Sequence, residues 1–271
     1  MNDTARYTDT LAPDAISAEL RPVIERLDLA DNCRQLAMEG WTVVENVADA
    51  GLTERLRARI LDLTAGRPGA NMLLAKDPVF AEAVLNPRLL ALAEFSVGRG
   101  FLLSQVAASV RQQGAPVIGL HADHNWLPAP FPAHNMLLTA CWVCDPYTRA
   151  DGATLVIPGS GRLRRHPDEG EIAALEGAIP IECPPGSVAL WDGNVWHSNY
   201  PRDTEGERVV CHITYSRLMM RPVENYGAHA AELVRRYGDT MAQLMGEHDF
   251  LDSPRGADYA KLTRTFNNAK R

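Results

Sequence analysis

A chain of 271 residues that is 46% hydrophobic and 23% charged has the composition of an ordinary globular protein, with enough apolar residues for a sizeable core. A formal charge of −7 and a pI near 5.6 give no electrostatic reason to expect nucleic acid or an anionic membrane surface as a partner. The 5 cysteines are scattered through mostly apolar runs and read as reduced; with no apolar leader and no run long enough to span a membrane, a cytoplasmic protein is expected.

In chain order, residues 1–14 are polar and read as a loose arm. Apolar residues recur at helical spacing over 16–38 (Leu20, Val23, Ile24, Leu27, Leu29, Leu36), interrupted near Asp31 and Asn32, which predicts two amphipathic helices, the second ended by Gly40. A short strand follows over 41–47, then a helix over 52–63 closed by Gly66 and Pro68, then a helical pair over 78–95 whose second member starts at Pro87. The texture changes at Phe101. From there to 218 come short runs rich in Val, Ile, Leu, Thr and Trp, at 101–111, 116–121, 136–144, 153–157, 187–191 and 208–216, separated by Gly, Pro, Asp and Asn. Strands without intervening helices predict an antiparallel sandwich or barrel. The connection 124–135 carries Pro128, Pro130 and Pro132 and cannot be a central strand; it reads either as a lid or as a plain surface crossover. Beyond Arg221-Pro222 a helix is expected over 231–245, and residues 263–271 are polar and frayed. The expected organisation is one domain over 1–271: a mainly helical part (1–100), a β core (101–218) and a C-terminal helical part (219–271).

The stretch 118–126, IGLHADHNW, places His121 and Asp123 two residues apart, and on a strand such residues point to one face. Downstream, 185–197 reads as a turn, a short strand, a second turn and then His197. Folded back across a barrel, His197 would be a third metal ligand. Two imidazoles and one carboxylate that leave other positions open suit non-haem Fe(II) activating dioxygen, although zinc accepts the same set. Arg208 opens the run 208–216, whose alternation puts Arg208, Val210, His212 and Thr214 on one face. Its guanidinium either shares the cavity and grips a carboxylate bidentately, or sits on the surface paired with Glu205 or Glu207. Cys141 and Cys144 form a C-x-x-C, but no second pair completes a zinc knuckle.

The ordered set His121-Ala-Asp123, then 151–160 (DGATLVIPGS), Pro185-Gly-Ser, Trp196-His197 and Arg208 resembles the phytanoyl-CoA dioxygenase family of Fe(II)/2-oxoglutarate oxygenases, over about 40–226. The resemblance implies an all-β core with flanking helices, the double-stranded β-helix or cupin-like jelly roll. It implies iron on His121, Asp123 and His197, with Arg208 on the distal carboxylate of the cosubstrate 2-oxoglutarate. Trp142 matches a family tryptophan near the cosubstrate, and Ser198 or Asn199 sits where a small polar residue helps bind the same carboxylate. The implied reaction consumes O2 and 2-oxoglutarate, releases succinate and CO2, and hydroxylates a small organic substrate, or desaturates or cyclises it. Halogenating relatives lack the carboxylate that Asp123 supplies here. Two positions depart from the family pattern: Gly161 stands where a histidine is common, and Ala122 where some relatives have glutamine. The alternative is a non-catalytic or 2-oxoglutarate-independent cupin-like protein that binds a metal or small molecule. Arg208 separates the two, since a plain metal-binding barrel has no reason to bury it.

Other residues read more simply. His124 faces away from the presumed site, and His212 is either a satisfied core histidine or a contact for cosubstrate or substrate. Trp41, Trp191 and Trp196 read as packing residues, and Met219 and Met220 either line a substrate pocket or, more simply, fill core space.

Overall fold

The computed structural model describes residues 16–248, so the expectations for 1–14 and 263–271 lie outside the described residues. Helix α1 (Arg21–Arg26) and helix α2 (Ala30–Glu39) are the first pair. The break between them falls at Asp28, with φ of 54°, and not at Asp31 and Asn32, which lie inside α2. Gly40, with φ of 82°, closes α2 in the left-handed conformation that suits glycine. Strand β1 (Trp41–Val44) follows, then α3 (Ala50–Thr64), whose N-cap Asp49 accepts from the Leu52 N–H at 2.9 Å. A short strand β2 (Gly69–Ala70) precedes α4 (Pro78–Val84) and α5 (Pro87–Val97); each of these helices starts with proline behind a capping Asp77 or Asn86. The strands β3 (Leu102–Arg111), β4 (Leu137–Val143) and β5 (Thr154–Val156) come next. Helix α6 (Glu169–Ala174) and strand β6 (Ile179–Pro180) were not anticipated. Then come β7 (Val188–Asp192), β8 (His197–Asn199) and β9 (Arg208–Ser216). The single helix expected over 231–245 is two, α7 (Ala230–Tyr237) and α8 (Asp239–Leu244), separated at Gly238.

Two antiparallel sheets form the core. The larger has six strands in the order β1-β7-β4-β9-β3-β2, and the smaller has three, β6-β5-β8. The mainly helical first part therefore contributes β1 and β2 to the larger sheet. One face of that sheet carries the helices: Leu138, Ala140 and Trp142 of β4, Val188 and Leu190 of β7, and Val209, Cys211, Ile213 and Tyr215 of β9 join Leu20, Ile24, Leu56, Phe80, Leu92, Leu233 and Leu244 in one cluster. Burying each of these large side chains stabilises the fold by ~1.5–3 kcal/mol. The other face looks across at the smaller sheet, and Cys141, Val143, Ala189, Trp191 and Val210 meet Val156, Ile181 and Val195 there. Both faces of the central strands are thus buried, as in the cupin-like jelly roll. A third cluster, Leu120, Ala122, Phe131, Leu155 and Trp196, covers the outside of the smaller sheet.

All five cysteines are buried and free, and burial pushes the Cys33 thiol up to about 12 and the Cys141 thiol to about 11, so neither forms a thiolate at neutral pH. Among the described residues no helix is long and apolar enough to cross a membrane.

Candidate metal centre

The segment before His121 is not the regular strand expected over 116–121; it joins the smaller sheet through one antiparallel bridge. The His121 N–H donates to the His197 carbonyl at 3.0 Å, and the His197 N–H returns the bond to the His121 carbonyl at 2.8 Å. Two residues on, the Asp123 N–H donates to the Gly193 carbonyl at 3.0 Å. The segment is therefore laid against β8 and the turn before it, and the i, i+2 relation still brings His121 and Asp123 to one side.

Both imidazoles are held by backbone carbonyls. His121 Nδ1 bonds the Gly119 carbonyl at 2.8 Å and His197 Nδ1 the Val195 carbonyl at 3.1 Å. A carbonyl only accepts, so Nδ1 carries the proton in each ring and Nε2 presents its lone pair. The two Nε2 atoms lie 3.7 and 3.5 Å from Asp123 Oδ1, and one donor atom from each of the three residues falls within 4.8 Å of the others. Donors around a metal held at ~2.1 Å stand about 3 to 3.5 Å apart, so the set fits a divalent ion with little adjustment. Burial lowers the His197 pKa, the His121 ring adding to the effect and Asp123 opposing it, which keeps the imidazole neutral and ready to ligate.

The second oxygen of Asp123 is fixed by the larger sheet. Trp191 Nε1 donates to Oδ2 at 3.2 Å, and the Thr139 hydroxyl approaches it at 3.4 Å. These donors turn Oδ1 toward the histidines. Trp191 therefore does more than pack. Its ring centroid stands 5.1 Å from that of His197 and 6.0 Å from that of His212. The turn between β7 and β8 is closed by Asp192, whose Oδ1 accepts from the N–H groups of Asn194 at 2.9 Å and Val195 at 2.8 Å. Burial, reinforced by the Asp123 charge, nonetheless raises the Asp192 carboxyl to about 7. Gly193 lets this turn touch the ligand segment: a Cβ there would stand 2.7 Å from His124 Cε1 and 3.0 Å from Leu137 Cβ.

Arg208 lies in the same interior. It is 3% exposed, and its guanidinium stacks over the Tyr147 ring at 4.9 Å while Nη1 donates to the Gly152 carbonyl. Neither Glu205 nor Glu207 pairs with it: Glu205 offers its backbone carbonyl to Arg202, and Glu207 accepts from Gln112 at 2.8 Å. Arg208 Nε is buried with no hydrogen-bond partner among the described residues. An unpartnered, buried guanidinium nitrogen beside a metal-ligand set fits the carboxylate of an absent small molecule. His212, on the same face of β9, lies between Arg208 and the triad; burial, with the Arg208 charge second, lowers its pKa to about 4.

Other expected site residues lie elsewhere. Trp142 does not face the interior. Its side chain lies in the cluster under the helices and its Nε1 donates to Thr53 Oγ1 at 3.1 Å; the neighbouring Cys141 takes the interior position, because successive residues of β4 point to opposite faces. Ser198 and Asn199 grip protein instead of offering free groups. The Ser198 hydroxyl donates to the Ile118 carbonyl, and Asn199 Oδ1 accepts from the Ile118 N–H at 2.9 Å while its amide donates to the Tyr200 carbonyl at 2.7 Å. They brace the segment that carries His121. Met219 fills no core, being 81% exposed. The connection 124–135 is anchored in its second half: Phe131 is buried, its N–H donating to the Arg164 carbonyl at 2.7 Å, and the Asn194 amide donates to the Pro132 carbonyl at 3.2 Å. His124 does not join the converging triad, and its ring lies against that of Phe131 at a centroid distance of 5.3 Å. Arg165 is paired bidentately with Glu171 at 2.7 and 2.9 Å.

Comparison with known proteins agrees with this architecture. Residues 66–210 match the profile of the family described as phytanoyl-CoA dioxygenase (PhyH). Dioxygenase af480 of Aspergillus fumigatus is 30% identical over 173 residues, which cover 63% of this chain and 54% of that protein, so the chain spans about half the length of this relative. Among solved structures, HygX from Streptomyces hygroscopicus with nickel and 2-oxoglutarate bound superposes with a TM-score of 0.59 at 19% identity, over 77% of this chain and 89% of that one. EctD from S. alaskensis with bound Fe gives 0.61 at 21% identity, over 80% and 83%. At these identities the two structures speak for the fold.

Proposed function

The chain belongs to the phytanoyl-CoA dioxygenase family of iron- and 2-oxoglutarate-dependent oxygenases, and from that premise we propose that it uses O2 and 2-oxoglutarate to hydroxylate, desaturate or cyclise a small organic molecule, releasing succinate and CO2. We read the whole chain as one oxygenase domain, because helices from both ends pack on the same sheet. His121, Asp123 and His197 are assigned as the iron ligands, and Arg208 as the residue that takes the distal carboxylate of 2-oxoglutarate. The observation that carries the reading is the buried Arg208, which shares an interior with the triad and has an unpartnered nitrogen. A barrel that only bound a metal would gain nothing from burying that charge.

Bound iron would supply the oxygen chemistry that decarboxylates the cosubstrate and oxidises a C–H bond. The chain's own residues hold the geometry. The Gly119 and Val195 carbonyls set the two imidazoles, and Trp191 and Thr139 set the carboxylate. His121, Asp123 and His197 would hold the iron with three donors, so that cosubstrate and dioxygen could take positions the protein does not fill. Leu120, Ala122, Phe131 and Trp196 back the site from outside the smaller sheet and exclude water from that direction. Arg164 and Arg165 are committed to the Phe131 carbonyl and to Glu171, which leaves no basic cluster there for the diphosphate of an acyl-CoA and favours a smaller metabolite.

The test is an anaerobic titration of the Fe(II)-loaded protein with 2-oxoglutarate, followed by the weak visible charge-transfer band of the chelate. The band is expected for the wild type, and Arg208→Ala should shift the titration to much higher concentration. No band, together with an unchanged Arg208→Ala, would defeat the proposal. Separately, His121→Ala, Asp123→Ala and His197→Ala should each abolish succinate production and keep the wild-type circular dichroism; normal turnover in any one removes that residue from the ligand set. A succinate-release screen across steroids, terpenoids, alkaloids, amino acids and acyl thioesters then addresses the substrate.

A further inference from the structure

Strands β3 and β9 pair antiparallel along nearly their whole lengths, and the last pair of the register is Arg111 opposite Arg208. Directly opposed residues project to the same face, and the neighbouring pairs, Ala107 with His212 and Ser109 with Val210, identify that face as the barrel interior. Two arginines therefore stand side by side at one end of the barrel interior. Like charges on opposed positions destabilise a sheet, so the pairing calls for a compensating anion.

No acidic residue among those described compensates it. The Arg111 Nη2 donates to the Pro116 carbonyl and the Arg208 Nη1 to the Gly152 carbonyl, and the Nε of each is buried without a partner. Nearby carboxylates are engaged elsewhere: Glu207 with Gln112, and Asp151 with Thr148, Thr204 and Arg202. Arg202 shows what a structural arginine looks like in this part of the fold. It is buried like Arg208, yet Nε donates to the Gly206 carbonyl at 3.2 Å, Nη2 to the Glu205 carbonyl at 2.8 Å, and Nη1 faces Asp151. Each guanidinium nitrogen of Arg202 has a partner, whereas Arg111 and Arg208 each leave Nε without one. Burial and the Arg208 charge both lower the Arg111 pKa, which registers the repulsion between the pair. Arginine stays protonated even so. His212, the next titratable group along β9 on this face, is neutral at physiological pH and Tyr147 carries no charge, so neither offsets the two cations.

We propose that Arg111 and Arg208 together form the receptor for the distal carboxylate of the cosubstrate, with Arg111 as a second specificity-determining residue that selects a dicarboxylic over a monocarboxylic 2-oxo acid. The inference rests on the reading that Arg208 takes that carboxylate. A carboxylate has two oxygens with about four acceptor sites, enough to satisfy both unpartnered Nε–H groups and cancel part of the paired charge.

The experiment measures binding and not turnover. The dissociation constants of 2-oxoglutarate and of 2-oxobutyrate, which lacks the distal carboxylate, are determined on anaerobic Fe(II)-loaded wild type, Arg111→Gln, Arg111→Lys and Arg208→Gln. Loss of a hydrogen bond to a charged group should weaken 2-oxoglutarate about tenfold or more in Arg111→Gln. Arg111→Lys should recover part of that loss, and 2-oxobutyrate should bind all Arg111 variants within twofold of wild type. Wild-type affinity for 2-oxoglutarate in Arg111→Gln, alongside a large loss in Arg208→Gln, overturns the role of Arg111 and leaves the assignment of Arg208 standing. Equal weakening of both 2-oxo acids also overturns it, because Arg111 would then merely support the 112–117 loop. Wild-type affinity in Arg208→Gln removes the underlying reading itself. Should Arg111→Gln not fold, Arg111→Lys decides: it must weaken 2-oxoglutarate and spare 2-oxobutyrate, and unchanged 2-oxoglutarate affinity counts against the proposal.

Discussion

Replacing Trp191 by phenylalanine removes one N–H and leaves an aromatic ring at the same position. Nε1 donates at 3.2 Å to Asp123 Oδ2, the oxygen that does not face the histidines. A hydrogen bond to a charged group contributes ~1.5–3 kcal/mol, and the long distance argues for the lower end. About 1.4 kcal/mol is a factor of ten, so metal affinity should fall roughly tenfold, at the lower edge of the 10–100-fold typical when a ligand's supporting partner is lost. The Thr139 hydroxyl, at 3.4 Å from the same oxygen and 3.3 Å from Thr214, is a weaker partner; Thr139→Val should lower affinity only a few-fold. Because Trp191 is buried, the smaller ring also leaves a void that costs stability, by ~1–3 kcal/mol. Isothermal titration with Co(II) or anaerobic Fe(II), run well below the melting transition, separates the two effects. Wild-type affinity in Trp191→Phe, or a larger loss in Thr139→Val, would refute the view that Trp191 orients Asp123.

Gly193→Ala should destabilise by ~1–3 kcal/mol and weaken metal binding, because its Cβ would press on His124 and Leu137 beside the Asp123 backbone; an unchanged urea midpoint would show that the turn can move aside. Trp142→Phe should lose the bond to Thr53 and with it ~1 kcal/mol or more of stability, and yet leave the 2-oxoglutarate dissociation constant within twofold, which distinguishes a helix-side tryptophan from one touching cosubstrate. Burial lowers the His212 pKa in the folded protein from the ordinary 6.5 to about 4, so the unfolded chain takes up a proton first as the pH falls. Its contribution is complete above about pH 6.5 and is lost as the pH drops toward 4. Urea midpoints of His212→Asn should therefore decline less steeply than wild type across that window; parallel curves would mean that His212 does not carry the acid sensitivity.

Much of the local structure is written in short signals. Asp49 ahead of α3, Asp77-Pro78, Asn86-Pro87 and Gly40 each mark a helix end, because caps and backbone conformations depend on one or two residues. The alternation over 208–216 likewise put Arg208 and His212 on one face, and the ordered His121, Asp123 and His197 carried the candidate metal set. Helix breaks were harder to place, since Asp28 and Gly238 interrupt apolar patterns that run through them. Strand β4 is the least legible element. Every residue from Leu137 to Val143 is buried, so polar and apolar residues do not alternate there, and nothing local says whether Cys141 or Trp142 looks into the barrel. Partnerships across strands are also beyond local pattern: Trp191 reaches Asp123, Ser198 reaches Ile118, and Arg111 meets Arg208 only because distant segments pair in one register. Residue types and their spacing thus determined the candidate ligands and the ends of many helices. The packing of two sheets decided which faces enclose the site, because a strand buried on both sides carries no mark of which side is which.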